Sequence, residues 1–234
     1  NERDLGAMLS LSGRKGTLLN RFTLNGGLFT GNGIGSETDS RKDFIGRLAY
    51  LHAYKTGEWG AASSYYNGGV LNPVNEKYKF VENQGYVKQE GVEGDYSKRQ
   101  YFGFAAQWAQ QWALGTTRIR AEYLWGKQPG TKNKNADPGG TSFGAGSDPL
   151  YLRSFRGAYV YFIQDIGKSK HSVVFKYDNY DPNTKTGADQ IGKLTGTGLA
   201  DVAYNTFGVG YQFRWNKYLT LSAYYDFVNN EKYK

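Results

Sequence analysis

From Phe207 to Phe227 the chain sets a large apolar or aromatic residue at every second position: Phe207, Val209, Tyr211, Phe213 and Trp215. After Asn216 and Lys217 the alternation resumes at Leu219, Leu221, Ala223, Tyr225 and Phe227. Between them stand Gly208, Gly210, Gln212 and Arg214, then Thr220, Ser222, Tyr224 and Asp226. Successive side chains of a strand point to opposite faces, so this spacing predicts a long hairpin with one apolar and one wet face. The same pattern recurs in ten segments: 4–11, 17–29, 44–54, 59–68, 100–112, 117–125, 154–165, 172–180, 203–215 and 218–228. Many match the roughly 9–11 residues with which a tilted strand crosses a bilayer. Strands of soluble proteins are usually nearer about 5–6 residues. No segment carries a helical period, and none approaches the roughly 20 apolar residues of a membrane helix.

The connections alternate as well. Short turns are expected at 12–16, 55–58, 113–116, 166–170 and 216–217, and longer loops at 30–43, 69–99, 126–153 and 181–202. Loops above about 12–15 residues are uncommon in compact soluble domains. Short turns at one end and long loops at the other are the layout of an outer-membrane β-barrel. A mean hydropathy of −0.65 agrees with it, because only one face of each strand would meet hydrocarbon. The expected fold is therefore all-β: an antiparallel transmembrane barrel of porin type, in one domain over residues 1–234. Trp59, Trp112 and Trp215 lie at strand ends beside short turns and would form one interfacial girdle. Trp125, with Tyr50, Tyr65 and Tyr101, would form the other. An aromatic-cored soluble sandwich that binds anions is the competing reading.

Short turns of such barrels face the periplasm and long loops the outside. Both Asn1 and Lys234 would then lie on the outer side, whereas complete bacterial barrels begin and end in the periplasm. The expectation is a partial chain of about ten strands, with strands missing before residue 1 and after residue 234.

Several stretches carry a family resemblance: "ERDLGAMLSLSG" at 2–13, "NGGLFTGNG" at 25–33, "DFIGRLAYLHAY" at 43–54, "KYDNYDPNT" at 176–184 and the terminal hairpin. On these the chain resembles the phosphate-selective porin O and P family, in its Bacteroidetes-type form. The resemblance implies a sixteen-stranded barrel, commonly trimeric, that passes anions through a basic pore, and this chain would supply its later two-thirds. It also implies a constriction built largely by earlier strands and an inward loop, so no binding residue carries over.

With the apolar phase outward, Arg21, Arg47, Arg118, Arg120, Arg156, Lys176 and Arg214 are expected inside, with Asp4, Glu122, Asp178 and Asp226. Basic rings in a pore raise the local anion concentration. Arginine suits that role, because its planar fork holds phosphate or carboxylate and stays charged. Arg120 with Glu122 and Lys176 with Asp178 could equally be wall pairs that satisfy each other. A net charge of +8 fits anionic partners. The basic residues are dispersed and lie opposite the aromatics, which argues against nucleic acid.

Other chemistry is weakly signalled. With no Cys there are neither disulfides nor thiolate metal sites. The only histidines are His52 and His171. Ser172 follows His171, but neighbouring strand residues face apart, so no nucleophile and base are paired. "GNGIG" at 31–35 lacks the Lys-Ser/Thr of a phosphate loop. "DNYDPNTKTGAD" at 178–189 has oxygen ligands at no standard calcium spacing. The reading is a passive outer-membrane channel, without enzyme activity, cofactor or metal. Its expected partners are lipid, lipopolysaccharide, small anions and further copies in a homotrimer. A scaffold subunit of a larger export or uptake complex is the alternative.

Overall fold

The computed structural model describes residues 4–31, 40–134 and 148–232. The strands are β1 (Gly6–Ser12), β2 (Phe22–Phe29), β3 (Asp43–Tyr54), β4 (Gly57–Leu71), β5 (Glu76–Val81) and β6 (Gly85–Glu90). They continue with β7 (Tyr96–Trp112), β8 (Gly115–Gly130), β9 (Leu150–Asp165), β10 (His171–Asp181), β11 (Tyr204–Arg214) and β12 (Thr220–Val228). No α-helix occurs among the described residues. All ten strands expected from the alternation are present. They follow one another in an antiparallel meander, β1-β2-β3-β4-β7-β8-β9-β10-β11-β12. The sheet does not close, since β1 and β12 each pair on one side only.

The structure differs from the expectation in three ways. The second strand starts at Phe22, because Leu18–Arg21 forms a 3-10 turn. β4, β7, β8 and β9 run well past their predicted long-loop ends. The stretch 72–95 holds a hairpin, β5–β6, where sequence predicted only loop. Asn83 at φ 62° and Gly85 at φ 91° make its turn, in the left-handed region that these two residue types tolerate best. β5 reaches past β7 and β8 to pair in parallel with β9, Tyr78 opposite Tyr151. Short connections still fall at one end, at 55–56 and 113–114 for example, and long ones at the other, as at 72–95 and 182–203.

The buried apolar core is small and sits at the long-loop end. Phe80, Tyr86 and Tyr151 pack together, with Tyr78 and Leu194 against them. Along the wall, by contrast, large apolar side chains are exposed, Phe104 at 53% and Phe227 at 55%.

Candidate functional site

Directly paired residues of antiparallel strands share a face, so the register assigns every wall residue to one of two sides. On one side Arg47 pairs with Ser64, Ser64 with Gly103 and Gly103 with Leu124. Arg118, Arg120 and Glu122 share that side with Leu124 by alternation, and Tyr159 and Tyr161 join them from β9. Lys176 pairs with Tyr161, and Gly208 with Asp226 beyond it. This is the arginine face. Arg47, Arg120 and Glu122 line a hollow of about 570 Å³ whose floor includes Gly60, Ala62 and Ala105. Those small residues leave the space into which the long basic side chains reach.

The expected basic residues do not stand alike. Arg118 donates two hydrogen bonds to Asp165, at 3.0 and 2.7 Å, and Ser172 donates a third at 2.7 Å. Lys176 lies between Asp178 at 3.3 Å and Asp226 at 3.1 Å. Gly208 sits opposite this trio, where a Cβ would collide with the Asp226 carboxylate. Arg214 is on the same face, within electrostatic reach of Asp165. Glu122 accepts a hydrogen bond from Tyr159 at 2.9 Å. Among the described residues, Arg47 and Arg120 form no ion pair. Arg214 forms none either, and Glu122 lines the same hollow as Arg47 and Arg120.

Three expected placements are corrected. Arg156 pairs directly with Trp125 and so lies on the opposite, aromatic face, held to Asp181 at 3.4 Å. The alternation of β9 therefore runs one residue out of phase with the expectation. Arg21 belongs to the 3-10 turn, where strand alternation does not apply, and donates to the Tyr50 hydroxyl at 3.4 Å. Asp4 precedes β1 and accepts from Thr30 and from the Gly31 amide, which ties it to the end of β2.

On the aromatic face the rings gather in two rows. Phe22, Tyr50 and Trp59 pack in series at the short-turn end, with centroids 4.9 and 5.0 Å apart. Trp108 lies opposite Trp59 and next to Trp112, and Phe213 next to Trp215. At the long-loop end Phe44, Tyr65, Phe102 and Trp125 follow one another across β3, β4, β7 and β8. Tyr50 thus belongs to the first row rather than to that of Trp125. Tyr101 stacks on Tyr66 on the arginine face and belongs to neither. Leu48, Phe104, Val160, Phe175 and Val209 fill the exposed band between the rows.

A comparison with protein-family models, with characterised proteins and with solved structures finds no match to this chain. The site therefore rests on its own geometry.

Sequence reasoning missed two buried charge clusters at the long-loop end. Asp43 accepts from Arg99 at 2.5 Å and from Tyr66, and Arg99 also donates to the Gly31 carbonyl at 2.6 Å. Arg153 and Asp201, both fully buried, pair at 2.9 Å. Tyr86 and Asn183 donate to the same Asp201 oxygen at 2.6 and 3.0 Å, while Arg153 also reaches the Thr131 carbonyl at 2.9 Å. One ion pair thereby ties together the hairpin and the loops after β8 and β10. Burial beside the Asp201 carboxylate pushes the Tyr86 hydroxyl well above its ordinary pKa. The signal was present in sequence: Tyr78, Phe80 and Tyr86 flank Asn83 and Gly85, a hairpin pattern.

The remaining candidates have structural engagements. His171 bonds and stacks on Tyr211, while Ser172 turns to Asp165. His52 packs edge-on to Trp59. In 178–189 the carboxylates diverge, Asp178 to Lys176 and Asp181 to Arg156 and the Asn183 amide. No group of three His, Asp or Glu is placed to share a cation among the described residues. Residues 32–35 of the glycine-rich loop lie outside the described residues.

Proposed function

We propose that this chain is the wall of an outer-membrane β-barrel porin of the phosphate-selective porin O and P type. It would pass small solutes passively through a water-filled lumen, with a preference for anions that extends to phosphate-like ones. The observation that carries this reading is the sorting of the two faces. One bears exposed apolar side chains between two aromatic rows, and the other bears Arg47 and Arg120 around a polar hollow.

The spacing of the rows supports a lipid-facing role. The two rows are six positions apart on β3, β4 and β7: Phe44 to Tyr50, Trp59 to Tyr65 and Phe102 to Trp108. Trp112, beyond the first row, extends the ring-bounded span on β7 to ten positions, about 33 Å along a strand at roughly 3.3 Å per residue. At a porin tilt of about 40° that is about 25 Å, the height of the apolar band of such barrels. Indole and phenol rings favour the two boundaries, where the ring is apolar and its N–H or O–H stays wet. The long loops then face outside and the short turns the periplasm. Lipid and lipopolysaccharide cover the aromatic face, and the finished channel is a homotrimer.

Anion preference follows from unequal compensation. The field of Arg118 largely cancels against Asp165, and Lys176 is outweighed by Asp178 and Asp226. Arg47 and Arg120 leave the hollow one positive charge in excess of Glu122, and a hollow walled by protein focuses such a field onto passing ions. Reversal potentials across planar bilayers under a potassium chloride gradient test this, with the expected sign that of anion selectivity. A cation-selective barrel would reject the preference. A protein that inserts without conducting would favour the second reading, a scaffold subunit of a larger export or uptake assembly. The docked hairpin and its buried ion pair supply the rigid outer platform that such a subunit needs.

A further inference from the structure

Beyond the Phe102–Trp125 row the aromatic face turns basic. Lys127 stands two positions past Trp125 on β8, and Lys98 four before Phe102 on β7, so alternation keeps both on the side of those rings. Lys77 and Lys79 of β5 and Lys185 after β10 join them around one hollow of about 270 Å³. Among the described residues none of these five lysines has an ion-pair partner. Two acids next to these elements are engaged elsewhere, Glu76 with Lys88 and Asp181 with Arg156.

Five like charges around one hollow repel one another, and an anion seated among them relieves that repulsion. Position selects the kind of anion. A second hollow of about 440 Å³ shares Lys127 and Ser154 with the first and is lined by Phe102, Trp125 and Arg156. Apolar rings and cations therefore form one continuous surface. An aromatic belt rests at headgroup level, so cations immediately beyond it meet phosphate rather than acyl chain. Lysine suits that place, because its stem lies on apolar surface while the ammonium reaches out to the polar layer. A hollow of this size is just under the roughly 300–1,000 Å³ of sites that enclose a drug-sized ligand. It matches a headgroup entering from the side while its chains stay outside.

We propose that Lys77, Lys79, Lys98, Lys127 and Lys185 form a docking site for the phosphorylated headgroup of an outer-leaflet lipid, whose acyl chains lie along Phe102 and Trp125. This rests on the porin reading, because it requires the aromatic face to meet lipid. The docked hairpin is part of the site, since it delivers two of the five cations.

The test titrates the purified full chain in neutral detergent with bisphosphorylated lipid A, and with the same lipid stripped of its phosphates, reading bound lipid by native mass spectrometry. A four-site variant, Lys77→Gln, Lys79→Gln, Lys98→Gln and Lys127→Gln, is run beside it, and both proteins are assayed for conductance in phosphatidylcholine bilayers. The phosphorylated lipid is expected to bind at least tenfold tighter than the stripped one. The variant should lose that advantage, at roughly fivefold per lysine, while conducting normally. Equal binding of the two lipids, or an unchanged variant, overturns the site and leaves the channel standing. Displacement of the lipid by an equal concentration of inorganic phosphate also overturns it, since the site would then read a free ion. A protein that neither enters nor conducts across the bilayer overturns the porin reading and this inference with it.

Discussion

Arg118 and Arg120 are two positions apart on one strand and face the same way, yet they differ in what surrounds them. Arg118 meets Asp165 in a two-pronged pair, whereas Arg120 meets the open hollow. Each substitution removes one positive charge, so what differs is where that charge stands: Arg118 lies outside the hollow and leaves Arg214 beside Asp165, whereas Arg47 and Arg120 line the hollow itself. Arg47→Gln with Arg120→Gln is therefore expected to shift the reversal potential toward zero or reverse it. Arg118→Gln should leave selectivity nearly unchanged while weakening the wall around Asp165. Equal effects from the two variants would show that a place in the hollow does not decide selectivity. The buried pair obeys a different rule. Arg153→Met leaves Asp201 buried without its cation, and breaking such a pair costs about 3–5 kcal/mol. The cost should appear as faster proteolysis around residues 182–203, with the wall strands still protected.

At the level of the element, the strands were legible because alternation is a strong and local signal, and ten expected strands meet ten wall strands. Their phase was less secure. β9 carries Tyr159 and Tyr161 on one side and Val160 and Phe162 on the other, so both faces hold large rings and aliphatics. Hydropathy alone could not choose between them, and Arg156 was put on the wrong face for that reason. The β5–β6 hairpin is legible only as two short strands, with Lys77 and Lys79 alternating with Tyr78 and Phe80 inside a long polar stretch. Its docking depends on Thr195 and Asp201, far along the chain. Such a contact has no local sequence signature. Because Val70 and Leu71 already pair with Ser97 and Tyr96, the hairpin hangs from a finished pair of strands. Replacing residues 74–92 with a short Gly-Ser linker should leave strand content along the wall intact by circular dichroism. It should also open 190–197 to protease, since the Tyr86 amide no longer holds the Thr195 carbonyl at 2.7 Å. Collapse of the whole sheet would instead make the hairpin part of the folding core.

Across the whole molecule the apolar surface is distributed in a way that water does not favour. The buried cluster is confined to the long-loop end, and the broad middle of the aromatic face is left uncovered. Exposed apolar patches on soluble monomers seldom exceed a few hundred Å², whereas this face runs through ten strands. The sequence carried that sorting of faces in its alternation, but the identity of the covering solvent is a property of the surroundings and is written in no single residue. A charge placed in the middle of the band can report it. Val160 sits there, paired with Ala121 and Tyr177, and Gln107 sits on the arginine face, paired with Gly60 and Arg120. In a bilayer, Val160→Arg should cost about 2–4 kcal/mol, the range for arginine at the midplane of a barrel wall. On the porin reading Gln107→Arg should cost much less, because water would bathe that face and screen the added charge from Arg120. Urea titrations of both variants folded into phosphatidylcholine vesicles measure the difference as a shift in midpoint. If the two substitutions cost the same, the apolar band is not facing acyl chains, and a second layer of protein must cover it.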